Sequence, residues 1–201
     1  MPRLANFDRV ALQGLLDKQF GVLSRGQGLD CAMSNRVMQH RLRPGGPWQT
    51  LLPGIYLTVT GTPTPAQREM GALLYAGPGS VITGPAALFS HGVPAEPTDM
   101  VDVLVPTTTQ RKNQAYIRLH RTARIPEQTG DRDGIRYAPA ARAVADTVRM
   151  MGDITQIRGL VADALKRDAC TLDELAGEVN EGPIRGSALL RHAVMQASQG
   201  G

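Results

Sequence analysis

Aromatic side chains are scarce: Phe, Trp and Tyr make up 4% of the 201 residues, with one tryptophan, Trp48. A core must therefore be aliphatic, and a hydrophobic content of 42% is enough to build one, which excludes a disordered chain. Lysine is scarcer still. Only Lys18, Lys112 and Lys166 occur, so nearly all positive charge is arginine. None of the three sits in the carboxylate and Glu-x-Lys arrangement with which a restriction-like nuclease holds a metal. The two cysteines, Cys31 and Cys170, match no Cys-x-x-Cys or zinc spacing and read as free thiols of a reducing cytoplasm. No run approaches the ~18 apolar residues of a membrane span, and the N-terminus has no apolar segment of signal-peptide length. The expectation is a soluble cytoplasmic protein without a membrane partner.

Other catalytic signatures are missing as well. Gly79-Ser80 could open a nucleotidyltransferase site, but the acids that follow, Asp99 and Asp102, have the wrong spacing for its Asp-x-Asp pair. There is no phosphate-binding loop and no His-Glu-x-x-His helix. His40, His91, His120 and His192 are scattered and read as surface or hydrogen-bonded structural residues. Asp146 lies between Arg142 and Arg149 at the spacing of an intrahelical ion pair. No metal, cofactor or catalytic residue is expected, and the chain does not read as an enzyme.

What is present is an uneven placement of charge. Residues 1–60 hold seven bases and three acids, while the remainder holds fifteen of each, so the net charge of +4 lies entirely in the first part. Such a footprint suits a nucleic-acid-binding unit.

Within it, Ser34 is a good N-cap for a helix over 34–43, with Met33, Val37, Met38 and Leu42 on one apolar face. Asn35, Arg36, Gln39, His40 and Arg43 are left outside. Arg matches guanine edges, Asn and Gln match adenine edges, and all can hold phosphates. Gly45-Gly46-Pro47 is expected to end the helix. Trp48 to Leu51 and Ile55 to Val59 can then pair around Leu52-Pro53-Gly54-Ile55, whose proline and glycine suit a type II turn. Before the basic helix, Ser24 and Gln27 form a capping box for a helix to about Ala32. Helix, short turn, basic helix and hairpin together predict a winged helix-turn-helix. A further amphipathic helix is expected over 6–20, with Phe7, Val10, Ala11, Leu15, Leu12 and Leu16 buried, and Val22-Leu23 as an extended link.

Gly61-Thr62-Pro63 is the expected boundary between a unit at 1–60 and one at 61–201. Thr64 to Gln67, with proline at the first helical position, opens a helix to about Ala76. Short strands are expected at Val81-Ile82, Val101 to Val105, Ala115 to His120 and Ile135 to Tyr137, with a short helix from Thr83 to Ser90. Helices follow over 139–151 (Ala140, Val144, Val148 and Met151 on one side), from Asp153 to about Arg167 with an Asp-x-x-Gln box, from Thr171 with a Thr-x-x-Glu box, and over 185–198. The fold class is α+β: a winged helix-turn-helix, then a mixed α/β domain ending in helices.

The order of GVLSRGQ and MSNRVMQHRLRPGGPWQTLLPGIYLTV resembles the N-terminal winged helix of AbiEi-type antitoxins of bacterial type IV toxin–antitoxin systems. PAQREMGALLYAGPGSVITGPAALFSHGV, VDVLVP, IRLHR and DGIRYAPAARAVADTV resemble the domain that follows it. The resemblance implies a DNA-binding regulator, in some members a repressor of its own operon. It also implies a second domain that, in toxin–antitoxin pairs, counters a nucleotidyltransferase-like toxin. The family's DNA-contacting positions correspond to Ser34, Asn35, Arg36, Gln39, His40, Arg43 and the wing around Gln49. Many relatives continue into a nuclease-like domain of the very-short-patch-repair type. The chain stops about where that domain would begin, which fits either a short regulator or one part of a longer protein.

The expected partner is double-stranded DNA, with a toxin protein or a second copy of the chain as further candidates. Asn35, Arg36 and Gln39 are expected to read base edges, and Arg25, Arg43 and Gln49 to hold phosphates.

Overall fold

The computed structural model describes residues 7–96, 98–182 and 187–199. It has an N-terminal winged helix-turn-helix followed by a mixed α/β domain that ends in helices. α1 (Arg9–Lys18) is capped by Asp8, whose carboxylate accepts from the Ala11 N–H. The expected start at Asn6 lies outside the described residues. The buried side of α1 differs from the expected one. Leu12 is buried and Leu15 and Leu16 half-buried, whereas Val10 is 85% exposed and Ala11 also faces solvent. Leu12, Leu15 and Leu16 are the larger side chains and they set the phase.

Val22-Leu23 is more than a link. β1 (Val22–Ser24) pairs antiparallel with β3 (Ile55–Leu57), which pairs with β2 (Gln49–Leu52), giving the order β1-β3-β2. Both faces of this small sheet are covered. Leu23 and Tyr56 join Leu12, Met33, Met38 and Trp48 in the core under the helices. Val22, Leu52, Ile55 and Leu57 point the other way, into a core shared with α4 (Pro65–Ala76). The period of two along a strand produces this division.

α4 has the expected reciprocal box between Thr64 and Gln67, and proline opens it. Its consecutive residues Met70 to Leu73 are all buried because it lies between the small sheet and a second, five-stranded one. Gly71 permits the close approach: a Cβ there would stand 2.9 Å from the Tyr116 hydroxyl and 3.3 Å from Leu51. The hydrophobic core thus continues through α4 from the winged unit into the second sheet.

That sheet has the order β6-β5-β4-β8-β7, from β4 (Val81–Thr83), β5 (Val101–Pro106), β6 (Ile117–Thr122), β7 (Gly130–Arg132) and β8 (Ile135–Tyr137). β5 and β6 are parallel, as are β4 and β8; β4–β5 and β7–β8 are antiparallel. β7 was not expected. It forms a hairpin with β8 through Asp133-Gly134, both at positive φ, as a tight primed turn demands. α5 (Gly84–Ser90) follows β4.

α6 (Ala140–Val148), α7 (Ile154–Lys166), α8 (Leu172–Glu181) and α9 (Ala188–Gln199) complete the described chain. α6 stops at Val148, so Met151 is not on it as expected. α7 is capped by Asp153 through the Thr155 N–H, not by a reciprocal box with Gln156. α8 does have the reciprocal box of Thr171 and Glu174. The expected last helix began at 185; residues 185 and 186 lie outside the described residues.

Asp146 proves to be buried. Its carboxylate takes Arg142 Nε at 2.9 Å, Arg149 at 2.7 Å and the Thr83 hydroxyl at 2.7 Å, and Arg142 also donates to the Arg124 carbonyl. Arg124 in turn pairs with Glu181 at 2.9 Å, so the network ties β4, α6 and α8 together.

Candidate nucleic-acid interface

α2 (Arg25–Asp30) and α3 (Asn35–Leu42) form the helix-turn-helix. Ser24 and Gln27 cap α2 reciprocally, at 3.1 and 2.9 Å. The turn passes through Ala32 at φ +59, with the Met33 N–H returning to the Gly28 carbonyl. Gly28 is where the two helices touch: a Cβ there would stand 2.8 Å from the Met38 sulfur. Cys31, 4% exposed, packs under this turn, and its thiol is pushed up by burial, then by Asp8 and Asp30. It is therefore a protonated packing residue.

α3 exposes the expected face. Ser34 caps it through the Val37 N–H, and Asn35, Arg36, Gln39, His40 and Arg43 are exposed, while Met38 is buried and Val37 half-buried. The helix itself carries no acidic residue. Its exit is earlier than expected. Arg43 is already extended, at φ −57 and ψ 157, because Pro44 follows and a residue before proline is pushed out of the helical region. Gly45 then takes φ +72, and Gly46 is packed so closely that a Cβ would stand 2.2 Å from the Arg41 carbonyl oxygen.

Several of these side chains are paired with one another. Arg25 Nε donates to Asn35 Oδ1 at 3.0 Å. Arg43 Nη1 lies 2.6 Å from His40 Nε2, a contact that makes that ring nitrogen the acceptor. The Arg25 N–H also donates to the Gly54 carbonyl at 2.8 Å, which sets the Pro53-Gly54 turn of the wing beside α2. Arg25, Asn35 and that turn are thus neighbours, with Arg36 and Gln39 along the same helix. Gln49 is placed differently. Its amide donates both hydrogens, to the Val59 carbonyl at 3.0 Å and the Gly61 carbonyl at 2.9 Å, so it closes the base of the hairpin and has no donor left for a phosphate.

Arg41, which was not singled out in the sequence, lies between Trp48 and Phe7, its guanidinium 5.2 and 5.8 Å from their ring centres. It fastens α3 to the start of the wing and to the segment before α1. Arginine followed by a lone tryptophan beyond a Gly-Gly-Pro break was the only signal for this contact.

Among the described residues, no group of three His, Cys, Asp or Glu side chains could hold a metal ion, and no helix is long and apolar enough to cross a membrane. No family model and no curated protein matches the chain. Among solved structures, it is similar to the RV2827C protein from Mycobacterium tuberculosis, at 13% identity and a TM-score of 0.58, over 96% of this chain and 80% of that one. At that identity the likeness is one of fold, and it extends across both the winged unit and the α/β domain.

Proposed function

We propose that this chain is a sequence-specific DNA-binding transcriptional regulator that acts as a repressor. Residues 1–60 serve as the DNA-binding unit, and residues 61–201 carry it and contact its regulators. The observation that supports this best is the exposed face of α3: Asn35, Arg36, Gln39 and His40, with no acid on the helix, on a helix-turn-helix flanked by a wing. In this reading α3 enters the major groove, where Arg36 and Gln39 reach base edges. Arg25 and Arg43 lie at its two ends and hold phosphates. The wing contributes through its Pro53-Gly54 turn in place of Gln49. A monomer could bind through helix and wing, while a homodimer would require half-sites about one helical turn apart. The resemblance of the motif order to that of AbiEi-type antitoxins points the same way. The test is a titration of labelled duplex from the chain's own upstream region against a shuffled duplex, over a salt series. Preference for its own DNA that survives ~150 mM salt supports the proposal; weak, equal binding that vanishes with salt means phosphate attraction alone.

A second reading has one observation in its favour. Phe89 on α5 is 79% exposed, beside a shallow groove lined by Pro85, Ala86 and Met100. Exposed apolar patches of this kind suit a protein partner, here a nucleotidyltransferase-type toxin that the chain would neutralise by contact. Phe89→Asp separates the two readings: it should relieve neutralisation of such a toxin and leave DNA binding unchanged.

A further inference from the structure

Residues Val101, Val103 and Val105 of β5 point into the core shared with α4, so Asp102 faces the opposite side of the sheet. Over that side opens a cleft of about 560 Å³, bounded by the start of α5, the segment after α6, and α7. That is the size of a site for one small organic molecule. Met150, Met151 and Leu160 provide an apolar flank, and Asp102 and Arg118 a polar one.

Asp102 has one acceptor oxygen without a donor. It is 2% exposed; its Oδ1 receives His120 Nε2 at 2.6 Å and stands 3.5 Å from Arg118 Nη1, whereas Oδ2 has no hydrogen-bond partner. A buried carboxylate oxygen without a donor is costly in a folded protein and calls for an explanation. Gly84 at the start of α5 packs against this carboxylate, and a Cβ on it would stand 3.3 Å from Oδ2. Glu96 and Asp163 also line the cleft, so its lining holds three carboxylates and one guanidinium, and that guanidinium is already engaged by Asp102 and by the Met150 sulfur.

We propose that this cleft binds a small organic amine, with its apolar body against Met150, Met151 and Leu160 and its ammonium group donating toward Asp102. The surplus of carboxylates favours the cation over an acid of the same shape, and the unpartnered oxygen favours a donor over a hydrocarbon. The site lies wholly within residues 61–201 and stands independently of the DNA-binding reading. It gives the second part of the chain a ligand class of its own.

The test uses three probes on one phenylethyl stem: phenethylamine, 2-phenylethanol and 3-phenylpropionate. Each is titrated into the full chain with ¹³C-methyl-labelled methionine, and the Met150 and Met151 signals are followed by NMR. The expected result is that phenethylamine shifts both signals and binds at least about tenfold more tightly than the other two, the ratio expected from one charge-assisted hydrogen bond. Asp102→Asn should reduce that preference. Because Asp102 is buried and its replacement could unfold the chain, a second variant is Gly159→Phe. Gly159 lines the cleft from α7, and a Cβ there meets open space. Its phenyl ring should fill the cleft and abolish the shifts without lowering the melting temperature. Equal or tighter binding of 3-phenylpropionate, silence of both methionines at millimolar phenethylamine, or unchanged binding in folded Gly159→Phe overturns the proposal.

Discussion

Arg25 Nε donates to Asn35 Oδ1 at 3.0 Å, joining the first residue of α2 to the first residue of α3 across the turn. The bond orients the Asn35 amide so that its NH₂ group is the free end. A free asparagine can pair with adenine through both donor and acceptor, but here one side of the oxygen is occupied. In the proposed complex, Asn35 would donate to a guanine, a thymine oxygen or a phosphate. If the pair acts as a unit on DNA, Arg25→Ala and Asn35→Ala should be non-additive, with a coupling energy of about 0.5–3 kcal/mol in a double-mutant cycle. Simple addition of the two losses would mean that each side chain meets DNA alone.

Arg36 and Arg43 should behave differently from each other. Arg36 is exposed on the first turn of α3, so Arg36→Ala should cost about 1–3 kcal/mol and relax specificity at one base position. Arg43 lies on the extended exit beside His40. Arg43→Ala should weaken binding to all sequences alike and lower the salt slope by about 1. Binding to a panel of singly substituted duplexes at several salt concentrations distinguishes the two patterns.

The exit from α3 is a packing constraint as well as a turn. Gly45→Ala places a side chain at φ +72 with open space around it and should cost about 1–2 kcal/mol. Gly46→Ala drives a Cβ into the Arg41 carbonyl, so the backbone between α3 and the wing must move. It should be the more destabilising of the two and should weaken DNA binding further. Urea denaturation and DNA titration of both variants check the ranking, and the reverse order would contradict this account of the turn.

Away from the interface, Asp146→Ala leaves Arg142, itself 4% exposed, buried without its carboxylate, and should destabilise the chain by about 3–5 kcal/mol. Thr83→Val removes one hydrogen bond to the same carboxylate and should cost about 1 kcal/mol. Chemical denaturation measures both. An Asp146→Ala variant as stable as the parent would show that the network contributes nothing.

Alkaline pH acts on the contact between α4 and its sheets. Burial pushes the Tyr116 phenol up to about 12, against a smaller opposing pull from Arg68, and burial and the Glu69 carboxylate raise Tyr137 as well. A tyrosine in the unfolded chain ionises near 10. The stabilisation from keeping these phenols protonated is complete below that pH and is lost as pH rises toward about 12. Tyr116→Phe should make the decline of melting temperature above pH 10 shallower; an unchanged slope would exclude Tyr116 as a cause.

The parts of this fold legible in the sequence are those encoded locally. The boxes at Ser24, Thr64 and Thr171 lie within four residues each, and each opens the expected helix. The Pro53-Gly54 turn is of the same kind, with Gly54 at φ +76. What was missed depends on distant partners. β1 is three residues long and exists through pairing with Leu57, Tyr56 and Ile55. β7 is exposed throughout and shows no apolar alternation; pairing with β8 makes it a strand. The identity of the outward residues of α3 could be read from periodicity, but not the links of Arg25 to Asn35, Arg43 to His40, or Gln49 to Val59 and Gly61, which require the turn, the helix exit and the hairpin to be in place.

The most direct test of the proposed DNA interface is an amide chemical-shift map of the full chain, recorded while a duplex from its own upstream region is added to saturation. The largest changes are expected at Arg25, at Asn35 to Arg43 and at Gly54 in the wing's turn, with residues 140–199 little affected. Saturation that leaves α3 unperturbed, or a map centred on the α/β domain, would contradict it.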